Sequence, residues 1–312
     1  MRKLRFALFG NIYQPKKSVL VKKLLCALEE READIFIDKP FYDYLSGQML
    51  IDAHPTGLID ADATNFKADF AVSMGGDGTF LQTASRIGDK GIPIIGINMG
   101  RMGFLADVSG DDIDATIDHI YNENYRLETR SVLQVIPLHP MKEGTSQASS
   151  QSPEGEMEEA PYALNEVAVL KRDSSSMISI RVDINGEYLA TYQADGLIVN
   201  TPTGSTGYAL SVGGPIMSPE AHTLGITPVA PHSLNVRPIT ICDDAEITLS
   251  TESRNHNYLV SIDGRSYTCS EDIRLSIRRA PYCIKVVKRP GTSFYKTLRN
   301  KLMWGSDIRI EG

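Results

Sequence analysis

The run Ser73-Met74-Gly75-Gly76-Asp77-Gly78-Thr79-Phe80 sets one carboxylate among three glycines, directly after the apolar stretch Ala68–Val72. Glycine lets a backbone approach a ligand closely and adopt turns that other residues avoid. The helix expected over Thr79–Ile87 begins with unpaired N–H groups and a partial positive charge, which suit phosphate. A carboxylate there repels phosphate, so Asp77 needs another task. It could hold a metal ion, or take a proton from an attacking hydroxyl. A tight strand-to-helix turn would account for a lone Gly-Asp-Gly; two glycines before the acid and one after are harder to explain that way.

Two further segments have the same texture. Gly96-Ile97-Asn98-Met99-Gly100-Arg101-Met102-Gly103-Phe104-Leu105 follows the apolar run Ile92–Ile95, so two glycine loops are expected side by side at the ends of neighbouring strands. The third, Asp195-Gly196 through Thr201-Pro202-Thr203-Gly204-Ser205-Thr206-Gly207-Tyr208 to Ser211, concentrates hydroxyls and backbone donors. Such hydroxyls can bind base nitrogens, phosphates or ribose, and Tyr208 could stack on a ring. Clusters of this kind are most often plain loops. Asn165-Glu166 lies within the apolar run Ala163–Leu170; neighbours on a strand face opposite sides, so at most one points into a regular core. An edge strand explains the pair as easily as a ligand does. There is no GxxxxGK[ST], no HExxH and no G-x-S-x-G elbow, since Gly204-Ser205-Thr206-Gly207 has the wrong spacing.

The elements that must carry these residues fall into two textures. From Leu4 to Asn122, strands (Leu4–Gly10, Ala33–Ile37, Ala68–Ser73, Ile92–Asn98) alternate with helices (Lys16–Glu32, Thr79–Ile87, Asp111–Asn122). The first helix shows Val19, Leu20, Leu24, Ala27 and Leu28 on one face. Alternation of this kind implies a parallel sheet, whose ligands sit at the carboxyl ends of the strands. After about Tyr125 short runs rich in Val, Ile, Thr and Tyr dominate, with Asn185-Gly186 as a hairpin turn, which predicts a mainly antiparallel β domain. We expect an α/β domain over 1–125, a β-rich domain over 126–290 and a helix in 291–312 that packs Phe294, Leu298 and Leu302 back onto the body. Met141–Ala160 lacks hydrophobic periodicity and is expected to be a mobile insertion with no chemistry.

With 312 residues, 42% of them hydrophobic and 23% charged, the chain reads as soluble and globular, and a net charge of −7 argues against nucleic acid or other polyanions as partners. The four scattered cysteines form no CxxC pair, which points to reduced thiols in the cytoplasm. The basic start and the apolar Leu4–Phe9 are too short for a secretory leader or a membrane span, so a core strand is expected there.

Taken together, Gly75-Gly76-Asp77-Gly78-Thr79, Asn98-x-Gly100-x-x-Gly103-Phe104-Leu105, Asn165-Glu166, Asp195-Gly196 with Thr201–Thr206, and Pro231-His232-Ser233-Leu234 with Arg237-Pro238 resemble the NAD kinase family from roughly Leu4 to Trp304. The first motif is shared with diacylglycerol and sphingosine kinases; the hydroxyl-rich segment and the Asn-Glu pair are far more specific. A lipid kinase would need an apolar cleft, and a non-catalytic dinucleotide-binding regulator would use Asp77 only to hold ribose hydroxyls. The resemblance implies a Rossmann-like amino-terminal domain and a β-sandwich-like carboxyl-terminal domain with the active site between them. The implied reaction is Mg²⁺-dependent phosphoryl transfer from ATP (or another nucleoside triphosphate, or polyphosphate) to the 2′-hydroxyl of the adenosine ribose of NAD, giving NADP. Asp77 would be the proton acceptor, with Gly76, Gly78 and Thr79 beside the nucleotide and Mg²⁺ held mainly by nucleotide phosphates. Asn165 and Glu166 match the nucleotide-contacting pair, Asp195 a nicotinamide-side contact, and Ser205, Thr206, Gly207, Tyr208 and Ser211 the adenosine turn. Asp263 and Gly264 match a contact from a neighbouring subunit, so a homotetramer or homodimer is expected. Gly207 stands where the family usually has Ala, and the 141–160 insertion is longer than usual.

Overall fold

A computed structural model describes residues 3–10, 18–60, 63, 65–100, 103–139, 161–173 and 176–305. The expected insertion at 141–160, and Arg101 and Met102 of the second glycine segment, lie outside the described residues. The chain forms two compact units, Met1–Thr129 with Ile284–Gly312, and Arg130–Cys283.

The first unit runs β1 (Arg5–Gly10), α1 (Ser18–Glu29), β2 (Asp34–Asp38), α2 (Lys39–Gly47), β3 (Gly57–Ile59), β4 (Phe70–Gly75), α3 (Asp77–Ile87), β5 (Ile94–Asn98) and α4 (Ile113–Tyr121). Strand β6 (Arg126–Leu138) then carries the chain into the second unit. The pairs β3–β2, β2–β1, β1–β4 and β4–β5 are all parallel. All residues of β4 and β5 are buried, as a parallel sheet covered on both faces requires. Phe6, Leu8, Leu24, Leu28, Val72, Ile95 and Ile117 belong to one apolar core, in which each large side chain contributes roughly 1.5–3 kcal/mol. Register pairs Gly75 with Asn98, so the two glycine loops do leave adjacent strand ends.

Three expectations change here. Asp77 is the first residue of α3, with Gly76 as N-cap, so the helix starts two residues earlier than Thr79. Val19 is exposed while Val21 and Leu25 are buried, which rotates the inner face of α1. The helix α2 and strand β3 come between the second and third expected strands.

The second unit contains β7 (Tyr162–Ala163), β8 (Glu166–Leu170), β9 (Ile178–Ile184), β10 (Glu187–Ala194), β11 (Gly196–Asn200), the short α5 (Tyr208–Ser211), β12 (Thr223–Val229), β13 (Ile239–Cys242), β14 (Ile247–Glu252), β15 (Asn257–Ile262) and β16 (Arg265–Ser270). Strand β17 (Arg274–Lys288) leads back to the first unit, where α6 (Phe294–Leu302) follows. One antiparallel sheet has the order β13-β12-β11-β8-β15-β16. In the other, β10-β9-β14-β17 pair antiparallel. Val167, Val169, Leu197 and Val260 from the first sheet share a core with Ile180, Val182, Ile247 and Leu275 from the second, the packing of a β-sandwich. Asn185 and Gly186 form the hairpin turn expected of them, and their positive φ values are those of a type I′ turn.

The return segment is pinned within the first unit. Val286 of β17 pairs parallel with Ile94, Lys288 meets Asp107 at 2.5 Å, and Arg289 meets Asp112 at 2.9 Å. In α6, capped by the Ser293 side chain, Leu298 is buried and Phe294 packs against Phe104.

Candidate active site

In the first unit the second glycine loop folds over Asp77. Phe104 N–H donates to its Oδ2 at 2.9 Å, and Leu105 and Ala106 donate to Oδ1 at 3.1 and 3.2 Å. A carboxylate offers about four acceptor positions, so one position on Oδ2 remains after these three bonds. Gly103 makes the arrangement possible: a Cβ there would stand 1.8 Å from Asp77 Oδ1. The Lys301 ammonium of α6 lies 3.8 Å from Asp77 Oδ2. Beside Asp77, Gly78 is exposed and Gly76 half-buried, leaving backbone accessible. Thr79 is buried and packs over Gly75, where a Cβ would meet its Oγ1 at 2.1 Å. Of the expected nucleotide contacts at this motif, Thr79 is therefore turned into the fold.

In the second unit the chain bends at Leu164 and Asn165 between β7 and β8, and Glu166 opens β8. The bend breaks the alternation of a strand, so both side chains point the same way. A Cβ on Gly207 would lie 2.8 Å from Glu166 Oε2 and 3.3 Å from Asn165 Nδ2. Gly207 thus leaves room for two polar groups. Asn165 Oδ1 and Glu166 Oε2 are buried and have no hydrogen-bond partner among the described residues. Buried polar atoms are rarely left so, and a ligand is one way to satisfy them. Burial, then the neighbouring Asp263 charge, push the Glu166 carboxyl up to about 7, against a Tyr208 N–H that favours the ionised form.

Asp263 organises this pair from below. Its carboxylate accepts N–H groups of Leu164 (2.7 Å), Asn165 (2.8 Å) and Glu166 (3.1 Å). Burial raises the Asp263 pKa while these three donors oppose the rise. Asp263 and Gly264 both have positive φ in the two-residue hairpin between β15 and β16. The side chain that sequence reading directs toward another subunit is engaged within its own chain.

The hydroxyl-rich segment is a 3₁₀ turn (Thr203–Thr206) followed by α5, not an open loop. Four of its hydroxyls donate to backbone carbonyls, three of them within the segment, while buried Thr203 Oγ1 has no partner among the described residues. Thr201 donates to Leu164 O, Ser205 to Pro202 O, Thr206 to Thr203 O and Ser211 to Tyr208 O. Ser205 is fully buried and also accepts Met217 N–H at 2.9 Å, so its side chain braces the turn. Tyr208 and Ser211 are exposed, with Thr206 and Gly207 half-buried, and these four remain presentable to a ligand. Asp195 is not brought to them. It precedes β11 while Thr201 follows it, a separation of roughly 20 Å at about 3.3 Å per residue, and its carboxylate pairs with Lys171 at 2.6 Å.

Sequence reading missed Lys301 at Asp77 and the supporting role of Asp263. Only the second had a local signal, the Asp-Gly pair between two alternating strands. Among the described residues no three of His, Cys, Asp and Glu gather to hold a metal ion, and no helix is long and apolar enough to cross a membrane.

Residues 56–125 match the ATP-NAD kinase N-terminal domain and residues 164–289 the ATP-NAD kinase C-terminal domain. A Bacteroides fragilis NAD kinase is 54% identical over 307 residues, covering 98% of this chain and 100% of that protein. A Porphyromonas gingivalis NAD kinase is 40% identical over 307 residues, covering 98% and 99%. Among solved structures, yeast NADH kinase complexed with NADH superposes with a TM-score of 0.82 at 21% identity over 99% of this chain and 90% of that one. An Archaeoglobus fulgidus NAD kinase in complex with ATP gives 0.69 at 24% identity over 96% and 99%. The two structures show the fold, and the two domains in order with full-length relatives at these identities show that the chain belongs to the NAD kinase family.

Proposed function

We propose that this protein transfers the γ-phosphoryl group of ATP to the 2′-hydroxyl of the adenosine ribose of NAD, yielding NADP and ADP. The observation that carries the reading is the state of Asp77: a carboxylate fixed by three backbone N–H groups, with one acceptor position open on Oδ2. A ribose hydroxyl is a weak nucleophile at neutral pH. As its oxygen bonds to the γ-phosphorus and the bond to the ADP oxygen breaks, its proton passes to Asp77 Oδ2. Fixing the carboxylate in advance means that none of this alignment has to be gained during the reaction. The glycine backbone around Gly76 and Gly78 and the start of α3 supply donors for phosphate oxygens.

Asn165 Oδ1 and Glu166 Oε2 are suited to donors on the nucleotide, namely ribose hydroxyls or an adenine amino group, and Tyr208 offers a face for a ring. Asp195 is proposed as a contact for the nicotinamide end. Mg²⁺ neutralises triphosphate charge when bound. We assign it mainly to the nucleotide phosphates, and no step is routed through a protein-held ion. A homo-oligomer, with Asp263 and Gly264 near a neighbouring copy, and a cytoplasmic location complete the reading. Supporting it are the family membership and the relatives named NAD kinase. The test is to incubate the purified protein with ATP, Mg²⁺ and NAD and to assay NADP enzymatically. No NADP from NAD, and no NADPH from NADH, would overturn the proposal.

A further inference from the structure

We propose that Lys301 is a catalytic residue, the cation that binds the phosphoryl group in flight; the inference rests on the phosphoryl-transfer reading above. The glycine loop of Asp77 supplies backbone donors and a negative charge, yet the transferring group spreads its own negative charge over three oxygens. With no P-loop lysine in the sequence, a side-chain cation that adds to Mg²⁺ and the backbone donors has to come from another element. Here it comes from the far end of the chain. The Lys301 ammonium lies 3.8 Å from Asp77 Oδ2, too long for a hydrogen bond, and 4.4 Å over the Phe104 ring. No hydrogen bond consumes its protons among the described residues, and about a third of the side chain is exposed.

The approach is built. Leu298 buries α6, Phe294 packs against Phe104, and Phe104 N–H holds Asp77 Oδ2. One aromatic residue therefore aligns the proton acceptor through its backbone and guides the lysine through its ring. As a mere ion pair the contact would add little, because exposed pairs at this distance contribute almost nothing to stability. Next to an incoming phosphoryl group the same ammonium meets oxygen atoms that gain charge as the bond to ADP breaks. It donates hydrogen bonds to the non-bridging oxygens and stays protonated throughout, while the proton of the ribose hydroxyl goes to Asp77.

The test uses the full chain with Lys301→Met, which keeps an unbranched stem of similar reach, and Lys301→Arg, which keeps the charge. Lys301→Met should lower kcat/KM for ATP by about 10²–10³-fold, the usual consequence of losing one charge-stabilising donor. The affinity for NAD alone, measured by calorimetry, and the unfolding midpoint should be unchanged, and Lys301→Arg should recover much of the rate. A Lys301→Met enzyme with wild-type kcat and KM for ATP overturns the assignment. So do Met and Arg variants equally slow with lowered unfolding midpoints, since that pattern marks Lys301 as an anchor of α6. If the unaltered protein makes no NADP, the NAD kinase reading has failed separately. Lys301 is then judged by the stabilisation that inorganic tripolyphosphate gives the wild type, which must vanish in Lys301→Met for the phosphate contact to stand.

Discussion

Replacing Asp77 by Asn changes one heavy atom and separates the two jobs of the carboxylate. As a proton acceptor, Asp77 should be worth about 10²–10⁴-fold in turnover, the range of general-base assistance. As an acceptor of three backbone N–H groups it also holds the Phe104–Ala106 loop. An Asn side chain oriented with its carbonyl toward Leu105 and Ala106 keeps two of those bonds. Its NH₂ group then faces Phe104 N–H across 2.9 Å, donor against donor. Loss of one hydrogen bond to a charged acceptor costs about 1.5–3 kcal/mol. The expected result is thus a kcat lowered about 10²–10⁴-fold with NAD affinity retained and a measurably lower unfolding midpoint. Steady-state assay of NADP at saturating ATP and NAD, calorimetric NAD binding and urea unfolding of one preparation check all three. Near wild-type kcat at saturation would refute the proton-acceptor role. A defect cured entirely by raising Mg²⁺ would move Asp77 from proton transfer to metal binding. An unchanged unfolding midpoint would refute the account of the loop.

Gly103→Ala should be nearly as damaging as losing Asp77, because its Cβ would stand 1.8 Å from Asp77 Oδ1 and must displace either the carboxylate or the loop. The check is kcat together with the unfolding midpoint; a neutral substitution would contradict the geometry. Glu166→Gln should remove a pH dependence of stability. With a folded pKa of about 7 against an ordinary 4.5, the folded state holds the extra proton between those values. Stability of the ligand-free protein therefore falls as pH rises from about 4.5 to 7, by up to about 3 kcal/mol. Urea unfolding at either end of that range should show a smaller difference for Glu166→Gln than for the wild type. Ser205→Ala strands the buried Met217 N–H and should cost about 1–3 kcal/mol, read by the same unfolding measurement, with the NAD affinity falling if the turn around Tyr208 loosens.

What could be read in the sequence was whatever is local. The short apolar runs leading into glycine at Gly75 and Gly96 fit two strands of a sheet covered on both faces, and their alternation with helical segments makes that sheet parallel. Asn185-Gly186 gives its hairpin for the equally local reason that both residues accept positive φ. No local pattern marks the strand Thr223–Val229, because Gly225 and Pro228 both argue against a strand and its paired neighbours override them. Tertiary context likewise decides Asn165 and Glu166. Alternation separates them, and the bend enforced by the Asp263 carboxylate turns them to one side. The hydroxyls of Thr201, Ser205, Thr206 and Ser211 are taken up by backbone carbonyls that only the folded chain brings to them. Lys301 could not be linked to Asp77 by any pattern, since only folding brings α6 to the glycine loop.

The return of Ile284–Gly312 into the first unit has a consequence for biosynthesis. A ribosome makes Asp77 well before Lys301, so the amino-terminal unit waits for the end of β17 and for α6 until all of Arg130–Cys283 has been made. Arg130–Cys283 is contiguous and can fold as soon as it emerges. A message cut short before codon 284 would yield that unit intact beside a sheet that lacks its last strand and a carboxylate that lacks its lysine. Such a fragment keeps the Asn165-Glu166 cluster without the Lys301–Asp77 contact. The order of the chain itself delays the contact of Lys301 with Asp77 until α6 has been made.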